Sequence, residues 1–143
     1  MAAHPNRILA LVVVGVGLVA VVAAILAATR DGSRYDRGTP TGAVQAYLSA
    51  VLEGDHQQAA RLLSKDSSCD LADLDHAYVP EGTRVVLRRS EIAGDTAQVV
   101  VDVVATNGVF SQPVEQHTLE LTRAGDRWLV TGTPWPMFEC EKG

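Results

Sequence analysis

The 143-residue chain predicts an α+β domain behind an N-terminal transmembrane helix, with two to three helices packed on one face of a curved four-stranded antiparallel sheet. Three observations carry this prediction. Ile8 to Ala28 contains no charged side chain, and thirteen of its positions are Ile, Leu or Val. From Pro40 to Pro80 apolar residues recur at the spacing of a buried helix face. From Thr83 onward the apolar period drops to two, and Gly-Asp and Asn-Gly links separate the runs.

The apolar segment comes first. At a rise of about 1.5 Å per residue, a helix over residues 8–28 is about 30 Å long, the thickness of a bilayer's hydrocarbon core. Each central Leu, Ile or Val contributes roughly −0.3 to −0.6 kcal/mol to insertion, so the set contributes about −4 to −8 kcal/mol. No central Arg or Asp opposes it. The chain therefore divides into a tail (1–7), a membrane helix (8–28), a linker (29–38) and a domain (39–143). Lys and Arg counts, with Arg7 before the helix and Arg30, Arg34 and Arg37 after it, favour a cytoplasmic domain. The very short tail and the cysteines favour the opposite orientation, which is the one expected here: a single-pass protein of the cell membrane with its C-terminal domain extracytoplasmic. A signal peptide cleaved after Val22-Ala23-Ala24 is the alternative.

Seventeen acidic and eleven basic residues follow the helix, leaving that part of the chain at −6. Phosphate recognition needs a basic face, and Arg84, Arg88 and Arg89 are too few to make one, so nucleic acid is not an expected partner. Arg84 and Arg88 alternate onto one face of a strand, where they serve as solvated charge or meet headgroups or a partner's carboxylates.

The linker reads TRDGSRYDRG, without an apolar period, and reaches up to about 35 Å when extended. Thr39 caps a first helix with Pro40 at its first position; Val44, Tyr47, Leu48, Val51 and Leu52 form its stripe, and Gly54 stops it. Asp55, with Gln58 three residues on, starts a second helix that ends near Ser64. Leu71, Leu74 and Tyr78 mark a third, capped by Ser67 or Ser68 and stopped by Pro80. Strands follow at 84–90, 96–105, 114–123 and 127–133, joined by short turns as a meander.

Pro-Thr-Gly-Ala-Val-Gln-Ala-Tyr-Leu-Ser-Ala-Val-Leu-Glu-Gly-Asp at 40–55 resembles the first helix and helix break of nuclear transport factor 2-like (cystatin-like) domains. Gly125-Asp126-Arg127-Trp128-Leu129-Val130 resembles their closing Gly-x-x-Trp-x-Val hairpin. The resemblance covers residues 39 to about 133 and is nearest to the membrane-tethered bacterial type. It implies a cone between helices and sheet, and a family whose members include isomerases, polyketide cyclases, secretion-system components and tethered proteins of unknown role.

Three residues are candidates for a ligand cavity in that cone. Tyr47 on the first helix and Asp102 among the valines of the second strand match the residue types of the ketosteroid isomerase oxyanion hole, where a tyrosine and a protonated aspartate stand beside an aspartate base. Packing is the simpler reading of Tyr47. Asp102 shares a face with Val100 and Val104 and is either semi-buried or on a rim. His117 alternates with Leu119 and Leu121 and so points into the cone, where a hydrogen-bonded sheet histidine is the simpler reading. His56 reads as an exposed first-turn residue. Asp66, Asp70, Asp73, Asp75 and His76 lack the spacing and the glycine of a calcium loop and read as helix caps and a solvated face. No nucleophile elbow, phosphate loop or zinc pattern occurs, and neither metal nor cofactor is expected.

Cys69 and Cys140 are the two cysteines, seventy-one positions apart, a separation that fits neither a metal pair nor a redox Cys-x-x-Cys. In an oxidising compartment two such thiols tend to pair, which pins Pro134-Trp135-Pro136-Met137-Phe138 across the domain. The valines at 99–104 are apolar on both faces apart from Asp102, so the outer face of the sheet is expected to be covered too, as in a homodimer through the sheets. The expected function is a non-catalytic binding or scaffold domain on a membrane anchor, with the membrane and a protein partner or second copy as partners. The alternatives are an isomerase- or hydrolase-like enzyme using the cone, or a structural part of a secretion or cell-envelope complex.

Overall fold

The computed structural model describes residues 35–107, 110–111 and 113–140, so the predicted membrane helix and most of the linker lie outside the described residues. Among the described residues no helix is long and apolar enough to cross a membrane.

Helix α1 runs Pro40–Glu53. Thr39 Oγ1 accepts a hydrogen bond from the Gly42 amide at 3.2 Å, and Gly54, at φ 73°, closes the last turn on the Ala50 and Val51 carbonyls. Val44, Tyr47, Leu48 and Val51 are buried as spacing predicts, but Leu52 is 40% exposed. It stands about 80° from the centre of the stripe, where the apolar face meets solvent. Helix α2 is short, His56–Arg61, capped by Asp55. It ends before Ser64 because Leu63 pairs with Val130 as an isolated bridge, with Val130 N donating to Leu62 O and Ser64 N to Val130 O. Helix α3 is Leu71–His76. Its cap is Asp70 rather than Ser67 or Ser68: the Asp70 carboxylate accepts from the Ala72 and Asp73 amides, and Asp73 returns the bond to the Asp70 amide. Ser67 is used elsewhere, its hydroxyl donating to Gly132 O and accepting from Cys69 N.

The sheet comprises β1 (Arg84–Ala93), β2 (Thr96–Val104), β5 (Glu115–Ala124) and β6 (Arg127–Thr131), in that order and antiparallel throughout. A small hairpin, β3 (Thr106–Asn107) with β4 (Phe110–Ser111), interrupts the β2–β5 link. The α+β architecture of three helices and a four-stranded antiparallel sheet is thus the one expected. Val99, Val101, Val103, Leu119, Leu121, Trp128 and Val130 turn inward and join Val44, Tyr47, Leu48, Val51, Leu63 and Leu74 in one core. The alternate positions Gln98, Val100, Asp102 and Val104 take the other face of the sheet.

After β6 the chain passes through Gly132 at φ 69° into a segment without regular structure, whose Pro134, Trp135 and Met137 are buried. The Trp135–Pro136 peptide is cis. Cys140 closes the segment onto Cys69 in a disulfide with Cα atoms 5.0 Å apart.

Candidate functional site

The register decides which candidate residues meet. Tyr47 projects from α1 into the core and is fully buried. Its hydroxyl has no hydrogen-bond partner among the described residues, and burial pushes the phenol's pKa well above its ordinary value. Asp102, only 5% exposed, lies on the opposite face, paired across the ladder with Val86 and Gln116. Its Oδ2 accepts from Arg88 Nε at 2.5 Å and its Oδ1 from Gln116 Nε2 at 3.3 Å. Tyr47 and Asp102 therefore do not converge, and they make no oxyanion hole. Val101 and Val103 face the helices, so strand alternation turns Asp102 away from them.

His117 is on the inner face, opposite Val101. Its Nε2 is 3.4 Å from Glu115 Oε2, and its ring lies 6.3 Å from Trp135 and 6.2 Å from Phe138. It stands at the open end of the cone rather than deep within it, half-buried under the C-terminal segment. His56 is not a free surface residue: its Nδ1 is 2.8 Å from Asp75 Oδ1, tying α2 to α3. With Asp70 and Asp73 in the α3 cap, the acidic run is largely accounted for by helix ends and this pair.

Three clefts bear on function. Between α1 and the sheet a space of about 220 Å³ is lined by Tyr35, Val44, Leu48, Leu87 and Val101 among others, with no carboxylate, histidine, lysine or arginine among the described residues. At the β1–β2 hairpin a broad surface hollow of about 670 Å³ carries Asp66, Glu91 and Glu120 around Ile92, Ala97 and Leu121. At the open end of the cone Tyr78, Pro80, Val103, Glu115, Trp135 and Phe138 line a cleft of about 250 Å³. The aromatics of this last cleft are drawn from two separate segments, one before β1 and one after β6, a convergence that helix and strand periodicity does not reveal.

The open face of the sheet has a layout of its own. A β-bulge between Leu87 and Arg89 makes Arg88 an extra residue in β1. Leu87 stays inward opposite Val101, Arg89 falls outward opposite Val100, and Arg88 reaches Asp102 on that same outer face. Arg84, Arg88 and Arg89 thus all stand on one face, where alternation alone expects only the first two. Glu91 and Glu120 flank Gln98 at the other end of that face. Val100 is only 9% exposed although no helix among the described residues packs on it, whereas Val86 is 47% exposed.

No model of a known protein family matches the chain, and no curated protein matches it. Solved structures do. A putative calcium/calmodulin-dependent protein kinase type II association domain from Thiobacillus denitrificans is 17% identical, with a TM-score of 0.56 over 66% of this chain and 90% of that one. An NTF-2-like protein of unknown function from Shewanella oneidensis is 15% identical, with a TM-score of 0.51 over 64% and 91%. The fold is nuclear transport factor 2-like. A SEC-C motif containing protein from Rhodopseudomonas palustris shares this arrangement at a TM-score of 0.55 and 13% identity, over 68% of this chain and 78% of that one. At such identities the nuclear transport factor 2-like assignment concerns the fold alone.

Proposed function

We propose that the protein is a membrane-tethered nuclear transport factor 2-like domain that binds a partner through the open face of its sheet and catalyses nothing itself. The anchor is residues 8–28, the tether 29–38, and the domain stands outside the cytoplasm. One observation carries the non-catalytic reading: among the described residues, no charged or imidazole side chain lines the space between α1 and the sheet. Acid–base chemistry needs at least two convergent ionisable groups at an open cavity, and the buried phenol of Tyr47 has no such partner. The disulfide supports an oxidising compartment, and the apolar run at 8–28 supports the tether.

The partner proposed for the open face is a second copy. Val86 and Val100 give that face an apolar centre, with Arg84, Arg88 and Arg89 toward one end and Glu91 and Glu120 toward the other. Two such faces related by a twofold axis set arginines against glutamates in both halves. Light scattering on the full chain in detergent is expected to show a dimer that Val86→Glu converts to a monomer. A monomer at high micromolar concentration, or a dimer indifferent to Val86→Glu, contradicts it. An enzyme remains the second reading on one observation, the His117–Glu115 contact at the open end of the cone. A hydrolase or isomerase activity lost in His117→Ala is its test.

A further inference from the structure

One set of exposed side chains belongs neither to the core nor to the open sheet face. Tyr78 is 80% exposed and Phe138 73% exposed, and they come from different segments, one before β1 and one after β6. Both line the cleft of about 250 Å³ at the open end of the cone. Trp135 forms another wall, Glu115 contributes a carboxylate, and among the described residues no Lys or Arg lines the space. Its volume falls below the ~300–1,000 Å³ of drug-sized pockets, so it suits a ligand of few atoms rather than a folded segment or a peptide.

The wall chemistry narrows the class further. Aromatic rings present negative faces that attract a cation, most strongly one that is large, diffuse and weakly hydrated. A lysine-like ammonium brings three N–H donors that need acceptors, and the cleft offers little besides one carboxylate. A quaternary ammonium has no N–H to satisfy and presents only polarised methyl groups, which suit rings and proline. We propose that this cleft binds a small quaternary ammonium solute, with Tyr78, Trp135 and Phe138 as aromatic walls and Glu115 as the counter-charge. His117 is the positioning residue, since its ring contacts both Trp135 and Phe138 and its Nε2 lies 3.4 Å from Glu115. The disulfide holds the segment that carries Trp135 and Phe138 against the domain. The proposal rests on the reading of the domain as a binding module, but not on its open face.

The test uses the full chain in a maltoside detergent, with intrinsic tryptophan fluorescence as the readout, because Trp135 lines the cleft. Tetramethylammonium and choline are titrated against 3,3-dimethylbutan-1-ol, the neutral isostere of choline. Both cations are expected to give a saturable change in the millimolar range and the isostere none. Phe138→Ala and Tyr78→Ala should each raise the half-saturating concentration about three- to tenfold, and Glu115→Gln about tenfold. Each position is exposed, so the variants retain the fold, which unchanged circular dichroism confirms. No saturable response to either cation, an equal response to the isostere, or a response indifferent to both Phe138→Ala and Glu115→Gln overturns the proposal. Self-association is read separately by light scattering, so a monomeric protein that binds choline costs only the open-face reading.

Discussion

The hydroxyl of Tyr47 is the most exacting single group in the domain. It is buried in the hydrophobic core and, among the described residues, unpartnered. A buried hydroxyl without a partner costs about 1–3 kcal/mol, so Tyr47→Phe is expected to stabilise the domain by about 1 kcal/mol in urea unfolding. A loss of stability would show that the hydroxyl is bonded in solution. The same burial gives a pH signature. The folded-state phenol has its pKa raised above the unfolded value, so the unfolded chain loses its proton first as the solution turns alkaline. Stability from this group is complete below the unfolded pKa of ~10 and falls as pH rises above it. Tyr47→Phe should lose that component of the alkaline decline. At this scale the sequence was partly legible. The helical stripe placed Tyr47 correctly, and alternation placed Asp102 on the face of Val100 and Val104. Which face looks toward the helices stayed open, because valine occupies both sides of β2 and burial alone does not distinguish them. The bulge at Arg88 reverses the phase of the alternation, but Arg89, Ser90 and Glu91 after it are all polar, so the shift did not show in the apolar pattern.

Element boundaries were set by chemistry that competes with periodicity. Helix α2 stops early because Leu62–Ser64 find backbone partners on β6, a long-range pairing that no local pattern announces. Helix α3 starts at Leu71 because Asp70 and Asp73 satisfy each other's amides, a better solution than a serine cap two or three residues earlier. Gly42 gives a sharp prediction. By helix propensity, alanine in place of glycine inside a helix gains about 1 kcal/mol. Yet a Cβ at Gly42 would lie 2.0 Å from the Asp36 carbonyl oxygen, in the turn where Asp36 O accepts from Thr39 N and Thr39 Oγ1. Gly42→Ala is therefore expected to destabilise the domain by about 1–3 kcal/mol, read as a lower denaturation midpoint. A gain in stability would mean that the turn before α1 is not built as described. The turn glycines at Gly54, Gly94 and Gly125 were legible from sequence, and all three take positive φ.

At the scale of the molecule, the C-terminal segment is held by one covalent bond and by the burial of Pro134, Trp135 and Met137. The Cys69–Cys140 pairing was legible because a chain with two cysteines offers a single intramolecular pair. The cleft they help to form was not, because its aromatics meet only in three dimensions. Closing a loop of this length contributes about 4 kcal/mol in the chain-entropy model. The double substitution Cys69→Ser and Cys140→Ser should lose most of that, with Trp135 emission shifting to the red as the segment loosens. An unchanged midpoint would show that packing alone holds the segment.

The central claim is that this disulfide-closed nuclear transport factor 2-like domain stands outside the cytoplasm on a membrane tether, and protease accessibility on intact cells tests it most directly. The domain is expected to be digested when protease is added outside, with no need to permeabilise the membrane. A domain that stays protected until the membrane is opened would place it on the cytoplasmic side and contradict both the orientation and the compartment proposed for it.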